Sequence, residues 1–300
     1  MTVRAVPAAL LAVACVGAGA AARQPEVLGE TVKAQFSATL ERVAAAADGV
    51  VGYTIVDLAS GDRFARLETT PFPTASTIKL AILYELLRQA DAGAIALDTP
   101  SPLDRRRAVP GGLLYELSTP ALSPRDLAVA MILQSDNTAT NVLIDRVGMA
   151  AVNQRMAALG LKSTTLRRYM IDLDAARRGD ENVSTPSDLA TLVIALHSGE
   201  GLSPHAHTIA LDILRKPKAT PIRSGVPAGV VVASKSGELE GVRADAGIVE
   251  VPNRPYVFVA MATYLQSTDD DPGSIEALAR ASYGYFSRRS SVSAYGRQIF

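Results

Sequence analysis

Cysteine occurs once in 300 residues, tryptophan not at all, and histidine only three times. A single cysteine closes no internal disulfide. With so few histidines the chain cannot furnish a Cys-rich zinc site or an iron–sulfur cluster, so no metal and no cofactor are expected. The chain also lacks an excess of either charge, since 30 Lys+Arg balance 30 Asp+Glu. Nucleic-acid binders show a basic domain or stripe and membrane-surface binders a polybasic face, so neither partner is expected. Internal repeats and low-complexity linkers are missing too. What is present is ordinary globular composition, 48% hydrophobic and 20% charged, in a chain long enough to bury a large core. Arginine far outnumbers lysine, so each lysine stands out.

The one sustained apolar run opens the sequence. Arg4 supplies a positive charge, Ala5 to Val16 form an apolar stretch, and small residues lead to Ala20-Ala21-Ala22 and Arg23. This is the three-part pattern of a secretory signal, and it falls short of the about 20 residues that a spanning helix needs. Residues 1–22 are therefore read as a signal peptide cleaved after Ala22, giving an exported periplasmic or secreted protein. The alternative is a lipoprotein signal with Cys15 acylated. Ala12-Val13-Ala14-Cys15 lacks the leucine such signals usually carry three residues before the cysteine.

Residues 23–300 read as one domain with a loose tail over 289–300. Gln24 to Asp48 opens polar and becomes helical through Leu40, Val43, Ala44 and Ala47. Val50 to Asp57 is rich in β-branched residues and reads as a strand, and Ser60-Gly61-Asp62 turns it back through Arg63 to Leu67. Helices then follow: Thr77–Gln89, Arg125–Gln134, Asn137–Arg146, Ala150–Leu159, Thr185–His197 and Ser203 to about Arg215. Several are announced by Ser-Pro or Thr-Pro, a cap residue followed by a first-turn proline. Strand character returns in Val230–Lys235, Ala244–Val251 and Tyr256–Tyr264, and Ser274–Arg288 closes as a helix. The fold class is thus α+β. An antiparallel sheet from the N- and C-terminal segments (about 30–70 and 225–288) packs on helices, with an all-helical block (about 71–224) inserted. The two parts meet at a cleft, a common place for a site.

Ser76-Thr77-Ile78-Lys79 begins the first strong helix. Positions i and i+3 share a helix face, so hydroxyl and amine can meet. A serine hydroxyl attacks only when a neighbouring base takes its proton, and lysine is such a base only if burial or a nearby cation lowers its pKa. The bland alternative is that Ser caps the helix and Lys decorates it. Two further motifs weigh against that reading. Ser135-Asp136-Asn137 lies 59 residues later (135 − 76), and Lys235-Ser236-Gly237 a further 100 (235 − 135), at the end of an expected strand.

The three motifs in this order and spacing resemble the signature of class A β-lactamases and penicillin-binding proteins, with Ser236 where threonine is usual. Phe72-Pro73-Thr74-Ala75 before the serine and Thr138-Ala139-Thr140-Asn141 after the second motif add to the likeness, which covers roughly Val43 to Arg288. The resemblance implies a serine hydrolase that takes a small-molecule substrate, a β-lactam or a peptidoglycan-like acyl-D-Ala, as a monomer without an obligatory protein partner. Ser76 would attack the lactam carbonyl and Lys79 take or relay its proton. Ser135 would pass a proton to the leaving nitrogen, and Lys235 would orient it and the substrate carboxylate. Asn137 would hold Lys79 and the substrate amide. The backbone N–H groups of Ser76 and Glu238 would form the oxyanion hole, with Ser236 and Gly237 lining the substrate edge. Arg243 would clamp the carboxylate or, equally, be a surface strand arginine.

One feature of the family is missing. Class A β-lactamases carry a loop glutamate, in Glu-x-x-Leu-Asn, that activates the deacylating water. If Leu173 aligns with that leucine, Met170 stands at the glutamate position and Asp174 at the asparagine position. Asp172 or Asp174 could serve as the base, or pair with Arg167, Arg168, Arg177 or Arg178. Alternatively deacylation is slow, as in a penicillin-binding peptidase or sensor, or Lys79 serves both steps as in a serine esterase. His205-Ala206-His207 resembles a metal pair but has no third ligand cluster. In Pro110–Glu116, Leu114 or Tyr115 could line the pocket entrance, or the segment could be a flexible loop.

Overall fold

The computed structural model describes residues 23–118, 121–266, 273–293 and 295–298. The expected signal peptide lies outside the described residues. Five strands carry the architecture: β1 (Val50–Asp57), β2 (Arg63–Arg66), β3 (Val231–Leu239), β4 (Val242–Glu250) and β5 (Tyr256–Thr263). They pair antiparallel in the order β2-β1-β5-β4-β3, so β1 lies beside β5 with Val50 opposite Thr263 and Asp57 opposite Tyr256. Period-two alternation divides β5 between two cores. Val257, Val259 and Met261 face the helical block, whereas Tyr256, Phe258, Ala260 and Ala262 face the two terminal helices.

Those terminal helices are α1 (Arg23–Ala45) and a long closing helix, Ser274–Arg289. Phe36, Leu40 and Ala44 of α1 are buried, and Phe36 stacks on Tyr285 at 4.2 Å while Tyr256 stacks on Phe286 at 4.1 Å. The helical block is built around α2 (Lys79–Asp91), whose residues Lys79 to Leu87 are all buried. A helix enclosed on every side belongs at the centre of a cluster. Around it lie α3 (Pro124–Leu133), α4 (Asn137–Val147), α5 (Met149–Ala158) and, past the short α6 (Leu173–Arg177), α7 (Pro186–Ser198) and α8 (Pro204–Leu214). The short α9 (Pro221–Gly225) leads back to the sheet, and the closing helix is α10. Ser123, Thr185, Ser203 and Thr220 each accept a hydrogen bond from the N–H three residues on, with proline in the first turn.

Three readings of the sequence shift. Helix α1 starts at Arg23, ahead of its apolar stripe. The chain enters α2 through a 3-10 turn, Ala75–Ile78, so Ser76 precedes the helix proper. Strand β3 runs on through Lys235-Ser236-Gly237 to Leu239, because the tight hairpin that sets Leu239 opposite Val242 draws this low-propensity stretch into the ladder. The tail also carries a bridge between Val292 and Gln298. Phe286 is fully buried where α10 meets the sheet. Its replacement by alanine is expected to cost about 3–5 kcal/mol, read as a lowered urea midpoint with little change in slope.

Candidate active site

Ser76 and Lys79 occupy one turn at the mouth of the cleft between block and sheet, and Lys79 is wholly buried. An ammonium out of water needs acceptors, and its Nζ finds three. It donates to the Ser135 carbonyl at 2.7 Å, to Ser135 Oγ at 3.0 Å and to Asn137 Oδ1 at 2.9 Å. Burial lowers the Lys79 pKa well below its ordinary value, the Lys235 charge lowers it further, and Asp136 opposes both. This is the condition under which a lysine can act as a base.

Ser135 reaches Lys79 from a loop between α3 and α4, with φ 56°. Ala75, just before Ser76, has φ 45°. Two non-glycine residues in the left-handed region cost of order 1–3 kcal/mol each and persist only where surroundings hold them. Asp136 is one such hold. It is buried, its Oδ1 accepts from Ala139 N at 2.7 Å to cap α4, and its Oδ2 accepts from Leu114 N at 2.8 Å. Asn137 is clasped from the same side, donating Nδ2 to the Pro110 carbonyl at 3.1 Å, and a Cβ on Gly111 would lie 2.4 Å from that Nδ2. One half of the Asn137 amide therefore serves Lys79 and the other the 110s loop. In that loop Leu113–Glu116 is a helical turn whose Leu114 is buried in the core, leaving Tyr115 exposed.

Lys235 is buried on β3, where Nζ donates to the Ser236 carbonyl. Burial lowers its pKa to about 8, with Asp245 opposing and Lys218 assisting. The next residues bring the strand edge onto the nucleophile: a Cβ on Gly237 would stand 2.6 Å from Ser76 N and 2.8 Å from the Thr74 carbonyl. Only glycine permits that approach. Ser236, Gly237, Glu238 and Arg243 line one cavity of about 210 Å³ with Thr220 and Glu276. Arg243 bonds Glu276 Oε1 at 2.6 Å. A larger groove, about 500 Å³, lies between α1 and α10 and includes none of the motif residues.

The loop aspartates make no hydrogen bond or ion pair to this cluster among the described residues. Asp172 caps α6, its Oδ1 accepting from Ala175 N at 3.0 Å. Asp174 is 80% exposed and pairs with Arg177 at 2.7 Å. Met170 is buried in the helical core, with its backbone clasped by Asn141: Met170 N donates to Oδ1 at 2.8 Å and Nδ2 donates to its carbonyl at 3.1 Å. Asn182 ties the far end of the loop to the nucleophile turn, its carbonyl accepting from Thr74 N at 2.9 Å.

Asn182 and Asp245 were not singled out from the sequence. Asp245 is fully buried on β4, Oδ2 accepting from Ile222 N at 2.9 Å, and burial pushes its pKa up to about 6. Its signal was an aspartate amid the apolar strand Val242–Glu250. His205 and His207 stand on α8, where His207 Nε2 bonds the His197 carbonyl at 2.8 Å.

Comparison with known proteins shows which family the fold and sequence fall in. The β-lactamase enzyme family model matches residues 35–286. A β-lactamase of Amycolatopsis lactamdurans is 32% identical over 230 residues, covering 72% of this chain and 73% of its own. The solved structure of PBP-A superposes with TM-score 0.77 at 29% identity, covering 84% of this chain and 96% of that one. A point mutant of PBP-A was solved as an acyl-enzyme complex with penicillin G, at the same TM-score and identity over 86% and 96% of the two chains. An ancestral class A β-lactamase matches with TM-score 0.78 at 27% identity over 84% and 100%. A matched span of that length, over a fold with these neighbours, places the chain in the β-lactamase enzyme family.

Proposed function

We propose that this β-lactamase-like serine hydrolase is acylated at Ser76 by β-lactams, with Lys79 as the base. The observation that carries the reading is the buried Lys79 amine, lowered in pKa and bonded to both Ser135 and Asn137. As an ammonium, Lys79 spends all three protons on Ser135 and Asn137. As a free amine it has a lone pair with which to take the Ser76 proton. The Ser76 oxygen then bonds to the lactam carbonyl carbon, and the C–N bond breaks. Ser135 donates to the departing nitrogen and is reprotonated through Lys79. The Ser76 and Glu238 N–H groups receive the oxyanion, a contribution of about 3 kcal/mol for each donor. Lys235, as a cation, holds the substrate carboxylate with Ser236 and Arg243. An exported location is part of the same proposal: residues 1–22 carry the signal pattern, and no helix among the described residues is long and apolar enough to cross a membrane.

Deacylation is proposed to be the slow half of the cycle. Met170 has no exchangeable proton, Asp174 is turned outward to Arg177, and Asp172 is occupied as a cap. The acyl-enzyme would then persist, with turnover set by water attack without a dedicated carboxylate.

Three outcomes check these roles. Ser76→Ala should abolish covalent labelling by a fluorescent penicillin, seen in a denaturing gel; labelling that survives assigns the nucleophile elsewhere. The acylation rate should rise with pH as Lys79 loses its proton and fall above about pH 8 as Lys235 loses its own. Lys235→Arg keeps the cation and should move the alkaline limb upward by stopped flow; an unmoved limb removes Lys235 as its source. Met170→Glu should shorten the acyl-enzyme lifetime by about a hundredfold, followed by intact mass, while Asp172→Asn and Asp174→Asn leave it unchanged.

A further inference from the structure

Along β3 the side chains alternate between faces. Gly237 turns its bare Cα toward Ser76, so Ser236 and Glu238 point the other way, into the cavity of about 210 Å³. Across the ladder Glu238 stands opposite Arg243. Among the described residues the charged lining of this cavity is one guanidinium and two carboxylates, Glu238 and Glu276. Glu276 is committed to Arg243 at 2.6 Å, with both side chains mostly buried. Glu238 is exposed, and no hydrogen bond or ion pair engages its carboxylate among the described residues. A cavity assigned to a substrate carboxylate thus carries, opposite its one guanidinium, a carboxylate that the Arg243–Glu276 pair leaves unengaged.

We propose that Glu238 selects zwitterionic β-lactams, those bearing a fixed cation next to the ring carboxylate, over purely anionic ones. The inference rests on the Ser76 reading above and names the substrate class for that site. Lys235, Ser236 and Arg243 take the ring carboxylate, and Glu238 takes the neighbouring cation. A purely anionic substrate meets the same carboxylate as a repulsion. The oxyanion donor is unaffected, because it is the backbone N–H of the residue and its side chain lies on the face of Arg243. At a solvated rim such a pair changes the rate by about fivefold.

The test uses two cephalosporins with one thienylacetamido side chain, one carrying pyridiniummethyl and the other acetoxymethyl at C3. Second-order acylation constants are measured by stopped flow, and their ratio is divided by the ratio for hydroxide hydrolysis to remove intrinsic reactivity. The corrected ratio should favour the pyridinium compound by about fivefold in the unmodified protein. It should fall to about one in Glu238→Gln, reverse in Glu238→Lys, and shrink in 1 M salt. A corrected ratio that is the same in all three proteins overturns the proposal. If neither compound acylates the unmodified protein, the Ser76 reading falls, and the selectivity with it.

Discussion

A primary amine enclosed away from water is the constraint on which the rest of the site depends. Lys79 is fully buried, and its three acceptor contacts all come from Ser135 and Asn137. Removing one of them would leave an N–H of a buried ammonium without its acceptor, a loss of about 1–3 kcal/mol or more. The nucleophile turn and the Ser135 loop are thereby locked together for reasons of solvation, before any substrate arrives. The same desolvation makes the charged form expensive, and Lys235 makes it more so. One physical cause thus fixes the geometry and primes the base.

Three of the six non-glycine residues with positive φ among the described residues belong to this site and its loop. Ala75, Ser135 and Ile171 all adopt positive φ, and each adjoins a residue of the site or its loop. Ile171 is the most unfavourable of them, being β-branched. It follows Met170, whose backbone is clasped by Asn141 through two hydrogen bonds. Asp136, Asn141 and Asn182 form a second ring of short polar side chains that satisfy loop backbone where no regular ladder can. Rigid elements therefore present the reacting groups, Lys79 and Lys235 from a helix and a strand, and Ser76 and Ser135 from a turn and a loop held against them.

Much of this was legible beforehand. The order of helices and strands followed from apolar period, Ser-Pro and Thr-Pro starts and β-branched runs, and three short motifs named Ser76, Lys79, Ser135, Asn137 and Lys235. What the sequence concealed has physical reasons. Ser236 to Leu239 are poor strand formers and join the ladder only because a tight hairpin pairs them with Val242 to Asp245. The outward turn of Asp174 and the capping role of Asp172 depend on where a short helix begins, a detail of one or two residues. Asp245 carries no motif, and its importance arises from complete burial beside two lysines. Asn182 lies far along the chain from Ser76, and only folding shows that it holds the nucleophile turn.

The pairing of β1 with β5 has a consequence for how the molecule comes into being. Val50 to Asp57 has its central neighbour in Tyr256 to Thr263, and the closing helix packs beyond that. Joining ends some 200 residues apart imposes a loop-closure entropy that only the completed sheet can offset, so assembly is dominated by long-range contacts and is slow. No nascent fragment that stops short of residue 263 contains a finished sheet. The central strand β1 therefore waits for its partner, with its inner edge open, until the chain has been made through residue 263.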